Sequence, residues 1–401
     1  MKLGVVSPFM PHEVADLLDQ ASREKLACIR GVPAPSTTAL VRGWHQRGHA
    51  ISIFCLDPSV TNEQVLQGER LTVRVLPKRR SRHCLRDFYH AECRLVQAAV
   101  QRETPDVLSA QWTYDHAWAA LQCGLPTMVT CHDTPWRYAW IAKNWFTTYQ
   151  LLVAWRVIRK ADRLVAVSPY TAQHIESYFR PRAPVTVVPN GVQPEIFQRG
   201  ERRLKSARHQ ERPFTVCSVG GWGGIKNIAT LLNAFAQVRA QQPDVRLVLF
   251  GRELGRGQAA EHWARHRNLH PGVVFQGGTP HDQVLDFLET EADLMVHPSL
   301  IETHGLAIVE AMACGVPVIA GGQSGAVAWT LNEGRDGYLC DIRDAQALAK
   351  KINEARRQPD GNRALVERAW ASAKQRFNLD QAVIANEAIL QQLVEERRQA
   401  A

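Results

Sequence analysis

Short apolar runs rich in β-branched residues alternate with amphipathic stretches along nearly the whole chain. This order is typical of parallel strands joined by crossover helices. We therefore predict an α/β fold made of doubly wound, Rossmann-like parallel sheets. The runs that predict strands fall in two series: residues 3–7, 50–54, 72–76, 107–110, 127–131, 164–167 and 185–188, and then residues 214–219, 245–250, 273–276, 294–297 and 316–320.

A charged segment, residues 198–213, separates the two series of predicted strands. It is nearly free of large apolar side chains and ends at a proline, which is typical of a linker. We therefore predict two domains with a cleft at the carboxyl ends of their strands, where such sheets bind ligands. The predicted parts are an N-terminal domain 1–197, a linker 198–213, a C-terminal domain 214–378 and a final helix 379–401 that can pack back on the N-terminal domain.

The composition favours a protein of a reducing compartment. The nine cysteines are scattered and form no C-x-x-C pair, so free thiols are expected rather than disulfides or zinc ligands. The sequence shows no signal-peptide pattern, and no apolar stretch approaches the roughly 20 residues that span a bilayer. We expect a cytoplasmic protein whose membrane contact, if any, is peripheral at the inner face of the plasma membrane. The net charge of +9 indicates a polyanionic partner, which charge alone does not identify.

The segment from His297 to Pro317 predicts a helix N-terminus that follows a buried strand. Residues 294–297 form the predicted strand, 298–304 a loop and 305–314 the helix. Free backbone N–H groups near Gly305 and the helix dipole suit a diphosphate. Glu302 lies in the loop and Glu310 in the helix, so one carboxylate can bind a ribose and the other a hexose. Spacing alone favours two glutamates on a solvated surface.

The same segment, in its context of strand, loop, helix and strand, resembles the E-x7-E signature of the family-4 retaining glycosyltransferases. Residues 162–168, the Pro-Asn-Gly turn at 187–192 and residues 336–339 resemble further pieces of that family in its order. The resemblance implies the GT-B fold, two Rossmann-like domains that face an interdomain cleft. It also implies retaining transfer of a hexose from a UDP-sugar or GDP-sugar to a glycan or glycolipid, in cell-surface polysaccharide or lipopolysaccharide biosynthesis. Neither a permanently bound cofactor nor a catalytic metal is expected.

The resemblance assigns roles to individual residues of the donor site. Glu310 is expected to bind the donor ribose, and Glu302 to face the donor sugar. The backbone from His304 through Gly305 to Leu306 is expected to cradle the diphosphate. The family often has an aromatic residue where this chain has His304, which leaves the role of that side chain open.

A glycine-rich turn at residues 220–227 ends in Lys226, which we predict to bind the donor phosphates. A flexible turn with a solvated lysine is the alternative. The family usually has an arginine after the first glycine of this turn, whereas this chain has Gly221 and Trp222. Either the site is a weakened catalyst or another cation replaces that arginine, and Arg252 at the end of the next predicted strand is the candidate.

His132 follows the predicted strand 127–131 and is expected at the carboxyl end of the first sheet. The resembling family has a histidine in this segment that touches the donor sugar. His132 is therefore predicted to bind a sugar hydroxyl or to accept a proton, and together with Glu302 and Lys226 it completes the predicted catalytic set. A packing role is the alternative.

Between Asp133 and Asp162 the chain has no acidic residue, but it has five basic residues and several tryptophans. Such helices suit an anionic membrane surface or a phosphorylated glycolipid, and equally suit aromatic side chains packed on a sheet. Two other functions stay open: a sugar-nucleotide epimerase of the same architecture, and a non-catalytic basic binding protein. A nucleic-acid partner is not expected.

Overall fold

The computed structural model describes residues 1–206 and 212–400. Two compact units account for the chain: Met1–Gly191 together with Leu379–Ala401, and Val192–Asn378. Each unit contains one sheet, largely or entirely parallel, with helices between its strands. The predicted fold class, α/β with two doubly wound parallel-sheet domains, is confirmed for each unit taken by itself.

The first unit has an eight-stranded sheet in the order β3-β4-β2-β1-β5-β6-β7-β8. All neighbouring pairs are parallel except β3 and β4, which form an antiparallel edge. That edge pair includes β3, a strand that the apolar pattern did not predict because its side chains are mostly half-buried. The strands are β1 (Lys2–Val6), β2 (Ala50–Asp57), β3 (Gln64–Gly68), β4 (Leu71–Pro77), β5 (Val107–Gln111), β6 (Thr127–Cys131), β7 (Arg163–Ala166) and β8 (Val185–Val187).

Helices connect these strands and cover the sheet with two apolar clusters. The chain reverses its winding between β1 and β5, which are neighbours in the sheet although β2 follows β1 in sequence. The helices are α1 (Gln20–Lys25), α2 (Pro35–Gln46), α3 (Ser81–Arg86), α4 (His90–Glu103), α5 (Asp115–Ala120), α6 (Pro135–Ala142), α7 (Trp145–Lys160) and α8 (Pro169–Phe179), with 3-10 turns at Pro11–Leu17 and Leu26–Cys28.

The second unit has a six-stranded, fully parallel sheet in the order β11-β10-β9-β12-β13-β14. Its winding reverses between β9 and β12, so the loops that follow these two strands leave the same edge of the sheet side by side. The last strand, β14, is one that the apolar pattern did not predict, because it has only three residues and all three are half-buried. The strands are β9 (Thr215–Gly221), β10 (Arg246–Arg252), β11 (Val273–Gly277), β12 (Leu294–His297), β13 (Val318–Gly321) and β14 (Tyr338–Cys340).

Eight helices and one 3-10 turn belong to the described part of the second unit. Buried aliphatic side chains on both faces of its sheet form the two clusters that hold them in place. The helices are α9 (Pro194–Lys205), α10 (Ile228–Gln241), α11 (Ala259–His266), α12 (His281–Thr290), α13 (Leu306–Ala313), α14 (Val327–Thr330), α15 (Ala345–Arg356) and α16 (Pro359–Arg376), and the turn is Asn332–Gly334.

The final helix, α17 (Leu379–Ala400), belongs to the first unit and packs on α2, β5 and β6. Leu390 and Leu393 lie in the same apolar cluster as Val107 of β5 and Met128 of β6. Glu387 accepts ion-pair contacts from Arg47 and His49 near the end of α2. The described part of the chain contains no helix that is long and apolar enough to cross a bilayer.

The predicted linker, 198–213, differs from the structure over its first half. Helix α9 covers residues 198–205, and the unit boundary falls earlier, between Gly191 and Val192; residues 207–211 of the predicted linker lie outside the described residues. The charged composition did not reveal that one side of this helix is buried. Arg203 is 8% exposed and donates hydrogen bonds to four backbone carbonyl oxygens. Gly200 lies so close to Ala313 of α13 that a methyl group there would overlap it. Residues 198–205 are therefore part of the second unit.

Gly251 allows β9 and β10 to approach closely at their carboxyl ends. Its φ is +129°, and a Cβ built on it would lie 1.5 Å from the carbonyl oxygen of Gly220. A side chain would therefore force these two strand ends apart. The close approach matters because Arg252 and the glycine-rich turn after Gly221 both leave the sheet at this point.

We expect Gly251→Ala to lower the free energy of unfolding by about 3 kcal/mol or more, since it combines a backbone clash with an unfavourable φ. Gly257→Ala is the control, because Gly257 also has a positive φ of +71° but open space around its Cβ position; its expected cost is about 1 kcal/mol. Urea unfolding followed by circular dichroism measures both. Equal losses in the two variants would contradict the steric explanation.

Candidate functional site

The loops after β9 and β12 meet at the point where the winding of the second sheet reverses. The backbone N–H of Leu300 donates to the carbonyl oxygen of Ile225 at 2.8 Å, and the Ser299 hydroxyl donates to the same oxygen at 3.4 Å. These bonds hold the glycine-rich turn against the loop that carries Glu302. The topology of the sheet thus brings together two segments that lie about 75 residues apart in sequence.

Glu302 is the centre of a small charged cluster. Its Oε1 accepts hydrogen bonds from Lys226 Nζ at 2.5 Å and from His297 Nε2 at 2.9 Å. The side chains of Glu302 and His297 are 14% and 4% exposed. The backbone of Glu302 is fixed as well, since its N–H donates to Ser324 and its carbonyl oxygen accepts from Ala326. Lys226 and Glu302, two of the predicted catalytic residues, are therefore in direct contact.

The surroundings of Glu302 keep its carboxylate ionised. Burial by itself would raise the pKa of Glu302, but the hydrogen bond and charge of His297 and the nearby Lys226 ammonium outweigh it and hold that pKa well below its ordinary value. An unpaired carboxylate in such a position would cost several kcal/mol. The cluster therefore presents a fixed negative charge and a lysine that is still 39% exposed.

Helix α13 begins directly after this cluster. Gly305 is its N-cap residue, and with φ +83° it adopts the left-handed conformation that glycine accepts most easily. The N–H groups of Leu306 and Ala307 lie in the first turn, where a helix offers no carbonyl oxygen to accept from them, so the helix start is a favourable place for an anion. The His304 carbonyl oxygen accepts from the Thr330 hydroxyl at 2.7 Å.

The His304 side chain is a packing residue in this structure. It is 2% exposed, and its ring contacts Trp329 and Phe377 edge to face. Of the predicted donor-binding segment 304–306, the backbone therefore lies at the helix start, while the histidine ring points into an aromatic cluster.

Glu310 lies about one turn further along α13, and its side chain bonds a residue outside the Lys226–Glu302 cluster. Its Oε1 accepts a hydrogen bond from His281 Nε2 of α12 at 2.8 Å, and its side chain is 17% exposed. The hydrogen bond and charge of Glu310 raise the pKa of His281 above its ordinary value, although burial opposes the change. The pair is a carboxylate and an imidazole hydrogen-bonded between α13 and α12.

Arg252 stands beside the position where the usual arginine is missing. In the parallel pairing of β9 and β10, Arg252 lies directly opposite Gly221. A Cβ added to Gly221 would lie 4.0 Å from the Cβ of Arg252, and Trp222 N–H donates to the Arg252 carbonyl oxygen at 2.9 Å. Within the described residues the Arg252 side chain forms no salt bridge. The strand pairing thus places a cation next to the vacant position.

His132 lies in the first unit, at the carboxyl end of β6. Its Nε2–H donates to the Gln111 side-chain oxygen at 2.8 Å, and its ring lies 4.5 Å from that of Trp112. Burial lowers the pKa of His132 to about 4, so its ring is neutral near pH 7. Burial likewise raises the pKa of the adjacent Asp133 to about 6, although a hydrogen bond from Tyr114 opposes the change.

The structure thus joins Lys226 to Glu302 directly. It places Arg252 at the end of β10 and residues 304–306 after β12, on the two sides of β9, and it leaves His132 in the other unit. Sequence reasoning missed His297 and His281. His297 ends a buried strand as His132 does, so the same argument could have found it. His281 begins a helix about 30 residues before its partner Glu310, and no sequence pattern marks it. No group of acids, histidines and cysteines within the described ranges is placed to bind a metal ion.

Two family models match consecutive parts of this chain. The model described as "Glycosyltransferase Family 4" matches residues 34–196, and that described as "Glycosyl transferases group 1" matches residues 200–371. A glycogen synthase of Mycobacterium tuberculosis is 27% identical over 282 residues, which cover 69% of this chain and 65% of that protein. The chain spans between 40% and 65% of the length of curated relatives such as this one.

Solved structures resemble the chain over its whole length. Sucrose-phosphate synthase from Thermosynechococcus elongatus superposes with a TM-score of 0.78 at 19% identity and covers 99% of this chain and 100% of its own. HepE of Anabaena, solved in complex with UDP-glucose, gives a TM-score of 0.65 at 21% identity and covers 100% of both chains. At these identities the likeness shows the fold, which is the GT-B class.

We expect Glu310→Gln to return the pKa of His281 towards its ordinary value near 6.5, because the variant removes the charge that stabilises the imidazolium. The sign follows from linkage: a raised folded-state pKa stabilises the fold fully below about pH 6.5, and this stabilisation is lost as pH rises through the raised value. NMR titration of the imidazole protons, with His281 identified by loss of its signal in His281→Asn, measures the change. Glu367→Gln, an exposed helical position of the same unit, is the control. An unshifted His281 in the wild type would contradict the pairing.

Proposed function

Because the chain belongs to glycosyltransferase family 4, we propose that it is a retaining, metal-independent hexosyltransferase of the cytoplasm. Its donor is a UDP-sugar or GDP-sugar, and its acceptor is a glycan or glycolipid in cell-surface polysaccharide or lipopolysaccharide biosynthesis. The observation that carries the proposal is the cluster of Lys226, Glu302 and His297 beside the start of α13. It combines a cation and free helix amides for a diphosphate with a fixed carboxylate for a sugar.

The diphosphate is assigned to the start of α13. The amides of Leu306 and Ala307 and the helix dipole favour an anion there, and Lys226 is close enough to the same loop to bond Glu302. On donor binding we expect the Lys226 ammonium to turn from Glu302 to a phosphate oxygen. Glu302 remains held by His297, so its carboxylate stays in place to accept hydrogen bonds from the hydroxyls of the donor sugar.

The ribose is assigned to Glu310. The bond from His281 occupies Oε1 and fixes the plane of the carboxylate, so Oε2 is the oxygen we assign to a ribose hydroxyl. His281 is then a positioning residue, because it acts on the ligand through Glu310.

Catalysis in this proposal depends on neutralising charge on the departing diphosphate. Lys226, the α13 amides and Arg252 supply positive potential where that charge develops, and one such group is typically worth about 10²–10³ in turnover. The leaving phosphate takes the acceptor proton while the acceptor attacks from the same face. His132, neutral because burial lowers its pKa to about 4, is better suited to hydrogen-bond a sugar hydroxyl than to accept a proton.

We expect the purified protein to release nucleoside diphosphate from at least one UDP-hexose or GDP-hexose, at the same rate with and without EDTA. Glu310→Ala should weaken nucleoside diphosphate binding about 100-fold, since a charged hydrogen bond to a ribose hydroxyl is lost. Lys226→Met should instead lower kcat by about 100-fold or more. Coupled-enzyme kinetics and calorimetry measure the two effects.

Glu367→Ala, an exposed glutamate on α16, is the matched control and should change neither binding nor kcat. No turnover of any nucleotide sugar by the wild type would contradict the transferase. Turnover that inverts the sugar hydroxyl without release of nucleoside diphosphate would indicate an epimerase instead. Unchanged donor binding in Glu310→Ala would contradict the ribose assignment alone.

We expect Arg252→Gln to lower kcat about 100-fold, because Arg252 replaces the missing arginine from the neighbouring strand. Adding Gly221→Arg to that variant should restore most of the loss. Gly221 accepts a side chain without strain, since its φ is not positive and its added Cβ would meet nothing closer than 3.6 Å. Arg343→Gln, an exposed arginine of the same unit, is the control. Normal turnover in Arg252→Gln would show that this cation is not used.

A further inference from the structure

An exposed aromatic surface lies on helices α6 and α7 of the first unit. Trp140, Trp145 and Trp155 are 66%, 67% and 47% exposed. Trp136 is also exposed and stacks on Tyr178 of α8, with 5.7 Å between the ring centroids. We call these residues, together with Leu152, the indole surface. The sequence left open whether these tryptophans pack on the sheet, and the structure places them in solvent.

The exposed side chains of α7 form a second apolar face of that helix. At 100° per residue, Trp145, Leu152 and Trp155 lie within an arc of about 80°. The buried residues Val153, Ala154, Val157 and Ile158 lie on the opposite side, where they pack in the core of the unit. Helix α7 therefore already has a core-facing stripe, and the aromatic stripe opposite it has no part in the fold.

The segment that carries the tryptophans of the indole surface is positively charged and has no acidic residue. Between Asp133 and Asp162 the basic residues are Arg137, Lys143, Arg156, Arg159 and Lys160. None of them forms a salt bridge within the part of the chain that the structure describes. Lys143 and Arg159 instead lie over the rings of Trp140 and Trp155, at 5.7 and 5.2 Å from the ring centroids. Each of these cations is thus held beside an exposed indole.

We propose that the indole surface docks the protein on an anionic phospholipid bilayer. Tryptophan side chains favour the boundary between headgroups and acyl chains, and adjacent lysines and arginines bind anionic headgroups. The helices have 8 and 16 residues, so they lie along the interface and do not cross it. A protein partner would also cover apolar rings, but the segment of α6 and α7, residues 135–160, has five basic residues and no acidic one, which fits a uniformly negative partner better.

The proposal goes beyond the transfer reaction and does not depend on it, because the indole surface contains none of the residues assigned to the donor. If the acceptor is a glycolipid, docking here would place the first unit at the membrane that holds it.

Cosedimentation with vesicles tests the proposal. The wild-type chain should bind vesicles of phosphatidylcholine with 30% phosphatidylglycerol at least tenfold more tightly than pure phosphatidylcholine, and added salt should weaken this binding. Trp145→Ala with Trp155→Ala should weaken it about tenfold through lost apolar contact. Lys143→Gln with Arg159→Gln should weaken it about 25-fold, since each cation contributes about fivefold.

Two controls separate docking from general charge and apolarity. Ile384→Ala removes an exposed apolar side chain on α17 that is 50% exposed, and Arg343→Gln with Lys350→Gln removes two cations of the second unit. Both should bind vesicles as the wild type does. Release of nucleoside diphosphate without lipid should be unchanged in the tryptophan variant, so loss of docking and loss of the proposed activity are distinguishable.

Three outcomes would overturn the proposal. One is equal binding of the wild type to neutral and anionic vesicles, and another is undiminished vesicle binding by both variants of the indole surface. The third is a dimer, seen by sedimentation velocity, that dissociates in Trp145→Ala with Trp155→Ala while vesicle binding is absent, which would make the surface an interface between copies. Quenching of tryptophan fluorescence by brominated lipid, weaker in the tryptophan variant, would support insertion at the interface.

Discussion

A nearly buried carboxylate between a lysine and a histidine is the interaction around which the second unit's site is arranged. Glu302 could not stay ionised at 14% exposure without compensating charge, because desolvation favours its neutral form. Lys226 and His297 supply that compensation from two different strand ends. The pairing exists only because β9 and β12 are neighbours in the sheet. The electrostatics of the site therefore rest directly on the point where the winding reverses.

Close backbone contacts keep that strand edge compact. Gly251 lets β10 approach β9 to a distance that no side chain would allow, and Gly200 does the same between α9 and α13. Each contact positions one residue of the candidate site. The contact at Gly251 fixes the strand end that carries Arg252, and the contact at Gly200 fixes α13, which carries Glu310. The buried guanidinium of Arg203 contributes in a similar way, since it bonds carbonyl oxygens at the ends of α12 and after α13. Packing and chemistry share the same few elements.

The pattern of apolar residues predicted most strands and the helix at 305–314. A strand buried on both faces is a short continuous apolar run, whereas a helix buried on one face has apolar residues three or four positions apart. It failed where burial is carried by unusual residues. Residues 198–205 are charged, but they belong to a helix with one buried side, where carbonyl oxygens accept hydrogen bonds from Arg203. The pairing of His281 with Glu310 depends on the packing of α12 against its neighbours, which no local pattern encodes. Whether the tryptophans of 136–155 are buried depended on which face of α7 meets the sheet.

The basic residues that give the chain its net charge of +9 lie in two kinds of surroundings. Many arginines and lysines among the described residues form ion pairs with acids, for example Arg79 with Glu92 and Arg212 with Asp293. Lys226 also forms an ion pair, with Glu302. In the proposed function, it turns from Glu302 to a phosphate oxygen when the donor binds. The five cations between Asp133 and Asp162 are different, because none of them forms an ion pair within the described residues and four of them lie over aromatic rings instead. These cations are not among the residues assigned to the donor, so donor binding does not account for them. The location of the charge, more than its sum, therefore points to a separate anionic partner.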